Sequence, residues 1–193
     1  MKVAIQGELG SFSEGAARRL LGAGIEMLCC ATFDDLFASV RTGVAPRGVV
    51  PVWNTIAGLI YDNAVRARDG TFTVHGTLRY PVQQCLIARP GTRTASLRRV
   101  ASHPIALQQC TRWFASHPAC EAVTVCDTAG GVRDLMMNRL DADAVIASAA
   151  AAARYGAELL EAGVEDQRGN VTRFVVVGSR GLALGIGSCS LVP

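Results

Sequence analysis

The chain has 193 residues, a formal net charge of +3 and an apolar fraction of one half. This composition supplies enough apolar side chains for a folded core and excludes an intrinsically disordered chain. The sequence has no basic run of five or more residues and few aromatic side chains, which argues against a dedicated nucleic-acid-binding protein.

The apolar pattern predicts short strands that alternate with helices along the chain. Strands are predicted at residues 3–6, 26–30, 48–52, 71–77, 81–88, 99–102, 122–126, 144–147 and 172–177. Helices are predicted at residues 16–21, 33–40, 55–65, 104–117, 128–138 and 149–155. This alternation predicts an α/β protein with mostly parallel sheets.

Several predicted helices begin at a residue that suits a helix N-cap. Ser11 and Glu14 have the spacing of a capping box, and Thr32 to Asp35 indicates another helix cap. Asn54 or Thr55 is expected to cap the helix that ends near residue 65. No Pro-rich or Ser-rich linker separates two domains, so a second lobe is expected to be entered and left through a sheet.

Neither a membrane span nor a secretory leader is expected. No uncharged stretch of the sequence, including residues 144–153 and 181–193, reaches the roughly 20 residues that a membrane span needs. The chain begins with a predicted strand rather than a charged segment followed by an apolar one.

The seven cysteines include no CxxC pair, so we expect free buried thiols in a cytoplasmic protein, with no bound metal.

Four polar segments lie at the ends of predicted strands, where open α/β sheets bind ligands. The segments are residues 7–13, 50–55, 102–104 and 170–174. Each segment can be interpreted structurally, as a strand-to-helix turn or a helix cap. Each can also be interpreted as a ligand-binding segment, in which backbone N–H groups bind an anion. His103 could act as a general base, but a structural role is favoured because the sequence shows no aspartate or nucleophile that would work with it. These residues alone indicate only an α/β ligand-binding or enzyme fold.

Taken in order, the same segments resemble the prephenate dehydratase family and its arogenate-using relatives. Residues 7–13 (GELGSFS) resemble the opening motif G-x-x-G-[TSA]-[FY]-S, and residues 49–55 (VVPVWNT) resemble V-V-P-I-E-N-[ST]. Residues 81–86 (PVQQCL) resemble P-[VI]-x-[HQ]-x-L, and residues 102–110 (SHPIALQQC) resemble S-H-P-Q-A-L-x-Q-C. Residues 163–174, which contain GVED and NVTRF, resemble G-I-x-D followed by N-x-T-R-F.

The resemblance implies two α/β lobes like those of type II periplasmic binding proteins, with a ligand cleft between them. Lobe one would comprise residues 1–79 and 168–193, and lobe two residues 80–167. The chain ends at Pro193, so neither an ACT regulatory domain nor its phenylalanine feedback is expected. The family also implies a cytoplasmic homodimer without a cofactor, acting on a small cyclic carboxylic acid. Its reaction removes water and carbon dioxide from prephenate and gives phenylpyruvate for phenylalanine biosynthesis.

The resemblance also assigns site residues. Thr172 matches the family's catalytic threonine, which we expect to donate a hydrogen bond to the departing hydroxyl. Arg173 is expected to hold a substrate carboxylate or to brace the strand. The remaining positions are expected to contact the substrate: Ser11, Ser13, Trp53, Asn54, Thr55, Ser102, Gln109 and Phe174.

Two departures from the family motifs put the substrate in question. Trp53 stands where the family has Glu, and Ile105 stands where it has Gln. If both line the cleft, they make it less polar. Two alternatives therefore stay open. The first is a homologue recruited to specialised metabolism, which acts on a related cyclic acid in a pathway of the tropone or tropolone type or in a non-aromatising decarboxylation. The second is a non-catalytic binder of aromatic acids.

Overall fold

The computed structural model describes residues 1–180, which form two mixed sheets flanked by helices. In chain order the strands are β1 (Lys2–Gln6), β2 (Glu26–Cys30), β3 (Arg47–Asn54), β4 (Gly58–Leu59), β5 (Phe72–Pro81), β6 (Cys85–Ala88), β7 (Arg99–Ser102), β8 (Glu121–Thr124), β9 (Ala144–Ala147), β10 (Glu158–Ala162) and β11 (Val171–Ser179). The helices are α1 (Phe12–Leu21), α2 (Phe33–Arg41), α3 (Tyr61–Arg66), α4 (Pro104–Gln108), α5 (Thr111–Ser116), α6 (Thr128–Met136) and α7 (Ala149–Tyr155).

The first sheet has the strand order β2-β1-β3-β11-β5, and β4 pairs with the end of β3. The second has the order β10-β6-β9-β7-β8. The chain passes from the first sheet to the second after β5 and returns after β10. This topology places the two sheets in the two parts of the chain that the lobe prediction separates, although β5 runs on to Pro81. The exact lobe boundaries remain a prediction, and residues 181–193 of lobe one lie outside the described part of the chain.

The prediction of mostly parallel sheets is wrong. Among the described residues, five of the nine strand pairings are antiparallel. β11 causes much of this difference, because the returning chain inserts it antiparallel between β3 and β5. A strand added from the other end of the chain leaves no local sequence pattern that specifies its direction.

Two helix predictions are corrected by side chains that bind backbone groups. The Oδ1 atom of Asn54 accepts hydrogen bonds from the N–H groups of Ile56 and Ala57, which forms a turn instead of a helix start. The predicted helix at 104–117 is split into α4 and α5. Asp166 caps the start of α5, because its carboxylate accepts from the N–H groups of Thr111 and Arg112.

Both faces of each sheet are covered by apolar side chains. On one face of the first sheet, Leu36 and Val40 of α2 pack against Val50 and Val175. On the other face, α1 packs against Ile5 and neighbouring strand residues. α6 and α7 cover one face of the second sheet, and α5 covers the other. Among residues 1–180 no helix is long and apolar enough to cross a membrane.

The loop of residues 7–10, here called the clasp loop, joins the first sheet to helices of the second. The backbone N–H of Glu8 donates to Asp127 at the start of α6, over 3.1 Å. The Glu8 carboxylate forms an ion pair with Arg133 of α6, with an N–O distance of 2.5 Å. The Tyr155 hydroxyl donates to the carbonyl of Leu9 over 3.0 Å. The clasp loop therefore fixes how the two sheets sit on either side of the space between them.

Gly10 makes the closest approach in the clasp loop. Its φ is +87°, and a Cβ atom added there would lie 2.7 Å from the Cα of Ala151 in α7. The Ser148 hydroxyl donates to the Gly10 carbonyl over 2.5 Å, which holds this contact in place. Only glycine satisfies both the backbone angle and the spacing.

We expect Gly10→Ala to destabilise the protein more than Gly22→Ala. Gly22 has a similar φ of +93°, but nothing lies within 4 Å of its added Cβ. Gly22→Ala therefore measures backbone strain alone, about 1–3 kcal/mol. Gly10→Ala adds a clash with α7 that costs about 1–3 kcal/mol more. Urea unfolding measures both free energies, and equal losses would show that the clasp loop does not pack tightly on α7.

Candidate active site

A cavity of about 430 Å³ lies where the two sheets face each other. Residues of both sheets and of the connecting segments line it: Gln6, Ser11, Phe12, Ser13, Phe33, Pro51, Asn54, Ala57, Ile60, Val82, Gln84, His103, Ile105, Ala106, Gln109, Cys126, Asp127, Thr128, Asn170, Thr172 and Phe174. Its wall is largely apolar, with polar groups at a few points. This is the usual composition of a small-molecule site.

The polar groups that face the cavity are mainly neutral hydrogen-bonding groups. Among residues 1–180 no Lys or Arg lines the cavity, and Asp127 is the described lining residue with a formal negative charge. The Asp127 carboxylate accepts from the N–H groups of Ala129 and Gly130, so it caps α6. Ser11 caps α1 in the same way, because its Oγ atom accepts from the N–H of Glu14. An anionic ligand would therefore be held by helix N-terminal dipoles, hydroxyls and amides.

A network of buried amides surrounds Thr172. The Nδ2 atom of Asn54 donates to the Thr172 Oγ1 over 2.9 Å and to the Asn170 Oδ1 over 2.7 Å. The Asn170 Nδ2 donates to the Gln109 Oε1 over 3.2 Å, and Gln84 donates to the same oxygen over 3.3 Å. The network thus joins β3 and β11 of the first sheet to residues beside the second.

Trp53 and Arg173 lie outside the cavity. They face each other across β3 and β11, with the guanidinium carbon of Arg173 5.5 Å from the centroid of the Trp53 ring. Both line a separate depression of about 410 Å³ with Leu59 and Val74. Side chains alternate along a strand, and Thr172 therefore turns to the cavity when Arg173 turns away.

The family model of prephenate dehydratase matches residues 3–181. The chain belongs to the prephenate dehydratase family. Arogenate dehydratase 3 of Arabidopsis thaliana is 39% identical over 180 residues, which are 92% of this chain and 42% of that protein. A prephenate dehydratase of Mycolicibacterium vanbaalenii is 33% identical, with coverages of 93% and 62%. The chain therefore spans less than half the length of the plant relative.

Solved structures agree with this family membership. A prephenate dehydratase from Arthrobacter aurescens, solved in complex with L-Phe, superposes with a TM-score of 0.85 at 25% identity, covering 94% of this chain and 61% of that one. GqqA, described as a quorum quenching acylase, gives a TM-score of 0.81 at 30% identity, covering 97% and 67%. A periplasmic substrate-binding protein from Coxiella burnetii gives 0.50 at 11% identity, covering 93% and 84%, a likeness of fold alone. The two-sheet α/β fold expected from the sequence is confirmed.

Six of the predicted site residues meet in the cavity of this family member: Ser11, Ser13, Asn54, Gln109, Thr172 and Phe174. Thr55 lies beside it, where its hydroxyl donates to the Asn170 Oδ1 over 3.2 Å. Ser102 is fully buried, and its hydroxyl donates to the Ile146 carbonyl over 2.6 Å. Thr55 and Ser102 therefore brace the cavity wall, whereas Trp53 and Arg173 are not brought to it.

The two departures from the family motifs have different positions. Ile105 lines the cavity, and about half of its side chain is exposed, so the loss of the family glutamine changes the wall itself. Trp53 changes the outer side of β3 instead. The expectation that both make the cleft less polar is therefore met in the structure by Ile105 alone.

Asn170 and Gln84 were not expected at the site from the sequence. Both are buried and line the cavity. Asn170 begins the N-x-T-R-F motif, so a signal for it was present. Gln84 occupies the [HQ] position of the motif P-[VI]-x-[HQ]-x-L, but no local pattern showed that its amide reaches Gln109.

The cysteines give no sign of metal binding or of a disulfide among residues 1–180. The six described cysteines are free, and no group of three His, Cys, Asp or Glu side chains is placed as metal ligands would be. Burial raises the pKa of the Cys110 thiol to about 12, so it stays protonated at neutral pH. Cys29 and Cys126 are exposed, contrary to the expectation of buried thiols, and Cys189 lies outside the described residues.

Proposed function

We propose that the protein converts prephenate to phenylpyruvate, with loss of carbon dioxide and water, in phenylalanine biosynthesis. The observation that carries the proposal is Thr172, whose hydroxyl lines a cavity of suitable size and accepts a hydrogen bond from Asn54. Family membership supports the same reaction. The chain matches only part of its plant relative, so the activity of the whole relative is transferred here as a proposal.

In the proposed reaction one carbon–carbon and one carbon–oxygen bond break together with ring aromatisation. The electron pair of the bond to the ring carboxylate moves into the ring as carbon dioxide leaves. The ring hydroxyl departs with its bonding electrons and takes up a proton from the solvent to become water. A hydrogen bond from Thr172 stabilises the negative charge that develops on this oxygen, while aromatisation supplies most of the driving force.

The other cavity residues bind and orient the substrate. The amide of Gln109, the Ser13 hydroxyl and the N-terminal turn of α1 offer donors to carboxylates where no Lys or Arg is present. Phe12 and Phe174 provide apolar contact for the ring. Arg173 braces Trp53 on the outer face of β11 rather than holding a carboxylate.

Arogenate is the second substrate candidate, because the Arabidopsis thaliana relative is named for it. Arogenate carries an ammonium group where prephenate has a keto group, and a cavity without Lys or Arg tolerates this positive charge. The acylase activity named for GqqA has less support here. Among the described residues no cavity serine, threonine or cysteine hydrogen-bonds to a histidine, as an activated nucleophile would.

We further propose that the protein acts as a cytoplasmic homodimer whose lobes comprise residues 1–79 with 168–193 and residues 80–167. The separation of the two sheets along the chain supports the lobes. The family resemblance supports the dimer, which sedimentation analysis tests directly.

Purified protein incubated with prephenate at neutral pH tests the proposed function. We expect phenylpyruvate, identified by mass and ultraviolet absorbance, at a rate far above the uncatalysed one. Thr172→Val removes the hydroxyl with little change in shape and should lower kcat by about 10²–10³ with a smaller effect on KM. Thr172→Ser keeps the hydroxyl and should retain most of the activity.

Three results would contradict the proposed reaction or the role of Thr172 in it. Wild-type protein that converts neither prephenate nor arogenate would favour the non-catalytic binder. A decarboxylated product that keeps its ring hydroxyl would favour the non-aromatising alternative. Equal kcat values for the wild type and Thr172→Val would remove Thr172 from the reaction.

Substitution at Trp53 separates this site from the neighbouring depression. We expect Trp53→Glu to change the ratio of kcat/KM for prephenate over arogenate by less than about twofold, because the indole lies outside the cavity. Ile105→Gln restores the family residue inside the cavity and should change the same ratio by about fivefold or more. A large change for Trp53→Glu alone would show that the outer face of β3 contacts the substrate.

A further inference from the structure

We propose that Asn54 and Asn170 are positioning residues that point the Thr172 hydroxyl proton and the Gln109 amino group into the cavity. The proposal rests on the proposed dehydration of prephenate. The proposal states which group donates and which accepts in each hydrogen bond of the amide network. These directions follow from backbone N–H groups, which can only donate.

Two backbone N–H groups fix the orientation of Asn54. The N–H groups of Ile56 and Ala57 each donate to the Asn54 Oδ1 over 2.9 Å. A rotated amide would place its NH₂ group against these two donors, which is unfavourable. The Asn54 Nδ2 is therefore the atom that faces Thr172 and Asn170.

This orientation decides the role of the Thr172 hydroxyl. Its oxygen accepts the hydrogen bond from Asn54, so its own hydrogen has to find another acceptor. Among residues 1–180 no group accepts a hydrogen bond from the Thr172 Oγ1. The residue lines the cavity, and its proton is therefore available to an oxygen atom of a bound ligand.

The same direction passes along the network to Gln109. The Asn170 Oδ1 accepts from Asn54, so the Asn170 Nδ2 has to donate, and it donates to the Gln109 Oε1. Gln84 donates to this oxygen as well. The Gln109 amino group makes no hydrogen bond within the described part of the chain and is left as a second donor at the cavity wall.

The strand register explains why these groups meet. Thr172 is directly opposite Asn54 in the antiparallel pairing of β11 with β3. Asn170 precedes β11, is 3% exposed and reaches across toward Gln109 near the end of α4. The turn after Asn54, which takes the place of the expected helix start, supplies the two N–H groups that orient the network.

The variant Asn54→Asp tests the direction of the Thr172 hydroxyl. The introduced carboxylate has nearly the same shape, but it only accepts hydrogen bonds. The Thr172 hydroxyl then has to donate to it, and its proton is withdrawn from the substrate. We expect kcat at pH 8 to fall by about 10²–10³. KM should rise as well, because the Asn170 amide rotates to donate to the carboxylate and then turns its own oxygen toward the Gln109 Oε1.

The pH profile supplies a readout that a structural role does not give. Burial raises the pKa of the introduced carboxyl group, whereas the two backbone N–H bonds to its oxygen lower it. Once protonated, the acid donates a hydrogen bond as the asparagine amide does. The kcat of Asn54→Asp relative to wild type should therefore recover as pH falls from 8 toward 5, after subtraction of the uncatalysed rate. The double variant with Thr172→Val should show no recovery.

Asn170→Asp is the matched variant for the hydrogen bonds that lead from Asn54 through Asn170 to Gln109, here called the Gln109 branch. Its carboxylate still accepts from Asn54, so the Thr172 hydroxyl keeps its direction and kcat should be nearly unchanged. The second carboxylate oxygen repels the Gln109 Oε1, so the Gln109 amide rotates and turns its oxygen to the cavity. We expect KM for prephenate to rise about tenfold or more, because a donor to the substrate is lost.

Three results would overturn the inference: wild-type kcat in Asn54→Asp at pH 8, a loss that is the same at every pH, or a loss in kcat rather than KM in Asn170→Asp. If Asn54→Asp does not fold, as judged by circular dichroism, Asn170→Asp still decides the Gln109 branch. If wild-type protein turns over neither substrate, the proposed function fails separately. Calorimetric binding of phenylpyruvate then tests the network, and weaker binding to Asn54→Asp should recover at low pH.

Discussion

The site depends on two hydrogen bonds from the backbone, which hold the carbonyl of the Asn54 side chain. Backbone N–H groups only donate, so they give the amide a single orientation. That orientation makes Thr172 an acceptor toward the protein and a donor toward the cavity. A threonine hydroxyl is too weak an acid to release a proton at neutral pH, so it acts as an oriented hydrogen-bond donor instead. The protein sets this direction by folding, before any ligand binds.

The fold supports this arrangement by holding two sheets at a fixed separation. The clasp loop packs against α6 and α7 on one side, with Gly10 in close contact with α7. The amide network closes the opposite side through Asn170 and Gln109. The cavity thus has a polar corner near Thr172 and apolar walls elsewhere. Among the described residues no Lys or Arg lines it, so the proposed recognition of a carboxylate would depend on the direction of neutral donors rather than on net charge.

Much of this fold is visible in the sequence, because periodicity and helix caps are local features. The strands near Val3, Val49 and Val145 and the helix cap at Thr32 are present in the structure. The direction of β11, the break between α4 and α5, and the turn after Asn54 were not predicted. Each depends on a partner distant in sequence or on a side chain that competes for backbone groups. Trp53 was expected at the site because of its motif, but strand alternation turns it to the other face.

A crystal structure of the protein with bound phenylpyruvate tests the central claim most directly. We expect a ligand in the cavity, with its carboxylate within hydrogen-bonding distance of the Gln109 Nε2 and with the ring carbon para to its side chain, from which the hydroxyl has left, facing the Thr172 Oγ1. The Asn54 Oδ1 should still be bound to the two backbone N–H groups. A ligand in the depression beside Trp53 and Arg173, or one in the cavity that makes no contact with Thr172, would contradict it.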